Sequence, residues 1–105
     1  MVDRADGEQD ARQGGGEPSG EELLARALLS LTSVDEVNAL LSDLCTPREK
    51  EDLAQRIEVA RMLDDGSSYA CIQEATGASA TTVARVARCL KYGPGGYRTV
   101  LDRLG

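Results

Sequence analysis

The chain has 105 residues, a formal net charge of −6 and 41% hydrophobic residues; it contains three tyrosines but no Phe, Trp or His. That length supports one domain with a modest aliphatic core, a situation in which oligomerisation is a common remedy. With histidine absent and Cys45, Cys71 and Cys89 too widely spaced for a CxxC pair, a zinc site and a Ser-His-Asp triad are unsupported, and no cofactor or enzymatic activity is implied.

Residues 1–20 hold almost no large apolar side chain, three consecutive glycines and a proline, the composition of a disordered acidic tail. The triple glycine Gly14 to Gly16 lacks the strand and helix that a phosphate cradle needs. A helical domain is expected over 21–105. Its first helix runs from Glu21 to Leu31, with Leu23, Leu24, Ala27, Leu28 and Leu31 forming a broad apolar face. Ser33-Val34-Asp35-Glu36 has the form of a capping box and opens a second helix to about Leu44, with Val34, Val37, Leu40, Leu41 and Leu44 inward.

Thr46-Pro47-Arg48-Glu49 starts a third helix more strongly still, with a capping threonine, proline at the first helical position and glutamate at the third. Leu53, Ile57, Ala60 and Leu63 are expected on its buried side, and Gly66 suits the left-handed position at its end. The stretch from Ser67 to Lys91 then reads as a helix capped by Ser68, a turn at Gly77 and a second helix capped by Ser79. Ile72, Val83, Val86 and Leu90 can close the two on one apolar seam, the pattern of a helix-turn-helix over about 68–92. Gly93-Pro94-Gly95-Gly96 breaks off the second of these helices. A last helix from about Tyr97 to Leu104 places Tyr97, Val100, Leu101 and Leu104 on one side. Nothing shows sustained period-two alternation, so the fold class is all-α with about six helices.

Charge is distributed unevenly. Residues 1–20 carry −3, 21–45 carry −4, 46–66 carry −2 and 67–105 carry +3, which sum to −6. Thr81, Arg85, Arg88 and Tyr92 fall at i, i+4, i+7 and i+11, a stripe facing away from the apolar seam with no acid in it. A helix with small residues at its N-terminal end and cations further along can enter a major groove and hold phosphates. Ser79, Ala80, Thr81 and Ala84 would lie nearest the base edges, with Ala80 and Thr81 able to meet thymine methyls. Arg85 or Arg88 would reach guanine or phosphate, and Lys91 would position the duplex. The alternative for these cations is a solvated helix surface.

Three segments, LCTPREKEDLAQRIEVARMLDDG, TGASATTVARVARCLKYG and GYRTVLDRL, resemble the Trp repressor superfamily, most closely its YerC/YecD-type branch of Trp-repressor-like proteins. The Thr-Pro cap, the Ala-Gln-Arg of the third helix and the Gly-Ala-Ser turn occur in the order and spacing of that family, from near Glu21 to the end. The resemblance implies an intertwined homodimer in which the N-terminal helices of two chains interlock and each subunit presents one helix-turn-helix to double-stranded DNA. It also implies an effector site, because Thr46, Arg56 and Arg85 match the threonine and two arginines that hold tryptophan in the Trp repressor. The residue after the second arginine is a glycine there and Val86 here, a branched side chain in the space the indole needs. Tryptophan is therefore disfavoured, while a smaller anionic effector, or ion pairing of both arginines with acids or phosphates, is compatible with these residues. At the fourth position before the turn glycine many helix-turn-helix motifs have alanine; this chain has Gln73.

The functional expectation is a cytoplasmic, sequence-specific DNA-binding transcriptional regulator, a repressor by family, with the cysteines reduced and half-buried or buried. The competing expectation is a helical module that docks on a protein partner without binding DNA, motivated by the net acidity and by Ala70 and Cys71 where cations would clamp phosphate.

Overall fold

A computed structural model describes residues 18–105, and the expected disordered tail lies, but for residues 18–20, outside the described residues. There are six helices and no strand among them: α1 Gly20–Leu29, α2 Val34–Leu44, α3 Pro47–Asp64, α4 Tyr69–Thr76, α5 Ala80–Tyr92 and α6 Gly96–Leu104. The chain divides after Leu41 into two compact units, the second being Ser42–Gly105. No helix among the described residues is long and apolar enough to cross a membrane.

Helix starts follow their capping chemistry. Ser19 accepts from the Glu22 amide at 3.1 Å, so α1 begins at Gly20, inside the stretch expected to belong to the tail. It ends at Leu29 rather than Leu31, with Ser30 as its C-terminal cap. Ser33 accepts from the Glu36 amide at 3.1 Å, as the box requires, but Glu36 reaches one residue further back than expected, to the Thr32 amide at 2.8 Å and its hydroxyl at 3.2 Å. At α3 the box is reciprocal: Thr46 accepts from Glu49 at 3.1 Å and the Glu49 carboxylate from the Thr46 amide at 2.8 Å.

The core lies wholly in the second unit. Val59 and Ala60 of α3, Ile72 of α4, Ala78 of the turn, Val83 and Val86 of α5, and Leu101 of α6 are buried, with Met62, Leu63, Leu90 and Tyr97 packed against them. The face of α3 thus differs from the expected one: Leu53 and Ile57 are exposed, and Val59 takes the inward position. Apolar residues run round more than one side of α3, and the side turned to α4, α5 and α6 is the covered one. On α6, Val100 and Leu104 are exposed, leaving Leu101 and Tyr97 to make the packing.

The first two helices contain no buried residue. Leu23, Leu24, Leu28, Leu29, Val34, Val37 and Leu44, most of which were expected to face inward, are exposed, and Leu29 keeps 86% of its surface open. An amphipathic stripe of this kind is suited to packing against another apolar surface.

Candidate nucleic-acid interface

Two helices and a tight turn build the site. Ser68 accepts from the Cys71 amide at 3.1 Å and starts α4; Gly77 then takes φ +76°, a left-handed conformation that costs a glycine little. The turn brings Ser79 to the N-cap of α5, where it accepts from the Thr82 amide at 3.1 Å. At its other end α5 stops at Gly93, where a Cβ would stand 2.5 Å from the Cys89 carbonyl oxygen.

Period 3.6 then sorts the α5 side chains. Val83 and Val86 enter the core, whereas Ser79, Ala80, Thr81, Ala84, Arg85, Arg88 and Lys91 are all exposed. The helix holds three cations and no acid. Among the described residues, Arg85, Arg88 and Lys91 make no ion pair; the arginines that do are Arg26, Arg48 and Arg98. Lys91 instead rests over the Tyr92 ring, 5.5 Å from its centroid. This helix therefore presents three cations unpaired among the described residues, spread from Arg85 to Lys91 over about 9 Å of its axis at 1.5 Å per residue. Such a face can hold a polyanion, and the small residues of its first turn let a backbone come close. Gln73 sits half-buried.

The residues proposed for an effector do not all share one cavity. An open polar cleft of about 520 Å³ is lined by Arg48, Gln55 and Arg56 of α3 with Gly77, Ser79 and Thr82. Glu51 and Asp52 also line it and balance its two arginines. Arg56 is half-buried there and, like Arg85, makes no ion pair among the described residues. Neither Thr46 nor Arg85 lines this cleft, and the Thr46 hydroxyl is already engaged in capping α3. Val86 is 1% exposed and belongs to the same core cluster as Val59, Ile72 and Val83.

Some polar residues at the site carry no obvious signal in the sequence. Thr82 supports the first turn of α5, its hydroxyl 3.1 Å from that of Ser79, and the Ser-x-x-Thr spacing could have marked it. Gln55 donates to the Thr76 carbonyl across 21 residues, which no local pattern encodes. All three cysteines are free; Cys45 is half-buried, but Cys71 and Cys89 are exposed rather than buried.

The Trp repressor protein family model matches residues 20–105. The uncharacterized protein YerC of Bacillus subtilis (strain 168) is 48% identical over 87 residues, covering 81% of this chain and 84% of that protein. A TrpR-like protein from Eubacterium eligens ATCC 27750 superposes with a TM-score of 0.80 at 45% identity, over 85% of this chain and 92% of the other. The crystal structure of a candidate Trp repressor from Staphylococcus aureus superposes with a TM-score of 0.79 at 38% identity, over 84% and 88%. The six-helix order, the helix-turn-helix and these likenesses agree from end to end of the described residues: the chain belongs to the Trp repressor family.

Proposed function

We propose that this protein is a cytoplasmic transcriptional regulator that binds specific double-stranded DNA as a homodimer through α4 and α5, and that tryptophan does not gate it. The observation that carries the reading is the exposed α5 face with Arg85, Arg88 and Lys91 unpaired among the described residues and no acid on the helix. On an otherwise acidic chain a surface of this kind is suited to phosphate, and small residues at its N-terminal end leave room for base edges.

The homodimer rests on α1 and α2, where the leucines of α1 and Val34, Val37 and Leu44 of α2 lie open. Covering them with the same surface of a second copy gives a two-fold assembly and two readers. Readers one duplex turn apart, about 34 to 36 Å, match a pseudo-palindromic site. Independence from tryptophan rests on Val86, whose branched side chain projects from the reader helix into the core. Any effector is small and anionic and is held by Arg56 in its cleft or by Arg85 on the exposed face of α5, with Thr46, the cap of α3, the remaining candidate.

Selection of bound duplexes from a random pool, with and without cell metabolite extract, tests this reading. Enrichment of a pseudo-palindrome is the expected result, and extract that changes the yield reports an effector. No enrichment at low salt, with a protein partner retained after nuclease treatment, would instead establish the protein-docking alternative.

A further inference from the structure

The apolar core packs α5 on α3 through Val59, Ala60, Val83 and Val86, and such contacts are non-directional. They hold two helices together without fixing how far one has rolled or slid against the other. A directional contact is supplied at the turn. Gln55 Nε2 on α3 donates to the Thr76 carbonyl at 3.1 Å, in a part-buried position. That carbonyl is among the last of α4 and has no partner within its own helix.

Thr76 is itself fixed on both sides. Its hydroxyl donates to the Ile72 carbonyl at 2.7 Å and accepts from the Ala78 amide at 3.1 Å. Ala78 is buried, and Ser79, the cap of α5, is the next residue. Hydrogen bonds thus link α3 through Thr76 to Ala78, the residue just before the cap of the reader helix.

We propose that Gln55 is a positioning residue for DNA readout: its amide holds the helix-turn-helix at one setting on α3 and so sets the angle and spacing at which the two reader helices meet a duplex. The inference rests on the DNA-binding reading above. Losing one neutral hydrogen bond in each of two subunits should lower affinity for the correctly spaced site roughly tenfold, because the readers then sample several settings. Binding that depends only on phosphate should not change.

The test uses the full chain and three duplexes: the selected site, that site with one base pair inserted between its halves, and a random sequence. Thermal midpoints are recorded alongside. Gln55→Met keeps the length and burial of the side chain but cannot donate, and Gln55→Asn can donate but is too short to reach. Either variant should lose about tenfold for the selected site, keep wild-type affinity for random duplex, and tolerate the inserted base pair better than wild type does. Variants that keep wild-type discrimination, whether or not their midpoints fall, make Gln55 a structural brace only and overturn the proposal. Equal loss on all three duplexes also overturns it, since a positioning role is specific to the spaced site. Wild-type protein that prefers no site removes the DNA-binding reading itself, an outcome separate from the other two.

Discussion

Arg98 of α6 grips Asp64 at the C-terminal end of α3 with two parallel bonds, Nη1 to Oδ1 at 2.7 Å and Nη2 to Oδ2 at 3.0 Å. Its Nε and Nη2 also reach Asp102, one turn further along α6, at 3.0 and 2.7 Å. No side chain caps the N-terminus of α6, so this fork and the burial of Leu101 fasten the last helix.

Loss of that fork should be visible in the pH dependence of stability. The Arg98 hydrogen bonds hold the Asp64 carboxyl below the usual carboxylate range, while its partners keep Arg98 firmly protonated. A depressed folded-state value contributes stability above the unfolded pKa and loses it as pH falls through the folded one. Asp64→Asn should therefore lower the thermal midpoint at neutral pH, with the gap to wild type closing below about pH 4. Both partners are solvent-accessible, so the gap should be small and shrink in salt. Thermal scans across pH check it; a gap that persists into acid would point to packing.

The reader cations and the reader threonine should fail differently. Arg88→Ala should weaken binding to every duplex and flatten the dependence of log K on log salt by about one per subunit, as expected for a lost phosphate contact. Thr81→Ala should leave that slope alone and relax preference at one base pair, at a cost of about 1–3 kcal/mol for that pair. Anisotropy titrations over a salt series separate the two, and matching slopes for both variants would remove the division of labour.

Val86 should behave as core and as a plug. Truncation to Ala deletes two buried methyl groups and should cost about 2 kcal/mol from transfer and the cavity left behind. Denaturant midpoints measure that loss. Wild-type DNA affinity should be the same with and without saturating tryptophan; calorimetric heat from tryptophan binding to wild type would show that the indole finds room despite the valine.

Legibility of the fold varied with the range of the interaction concerned. Caps at Thr46, Ser68 and Ser79 and the left-handed glycines at 66 and 77 are local, and the sequence places the helices to within a residue or two. The exposed stripe of α5 follows from helical period alone, as does the burial of Val83 and Val86. On α3 the same spacing puts Leu53 and Ile57 with Ala60 and Leu63 and leaves out Val59, because apolar residues occur on more than one side and nothing local says which side α4 and α5 will cover. Gln55 was invisible as a turn contact for the same reason: its acceptor is a backbone carbonyl 21 residues away, and any residue type could have supplied it.

The exposed faces of α1 and α2 carry the last prediction. Leu24 and Leu28 lie one turn apart on α1, and both are open in a single chain. If a second copy covers their remaining 45% and 41% exposed surface, each gives up about 0.6–1.3 kcal/mol when that surface is returned to water, and a charge in its place adds a desolvation cost. Glutamate is a good helix former, so the double variant Leu24→Glu, Leu28→Glu should keep α1 helical and leave the core from Val59 to Leu101 intact. Sedimentation equilibrium should then find a dimer for wild type and a monomer for the variant. Affinity for the selected site should fall by about 100-fold or more, since one subunit engages one half-site without the second tethered beside it. Random-duplex binding should fall far less, because the α5 cations remain in place. A variant that sediments as a dimer would locate the subunit contact elsewhere than on the α1 leucines.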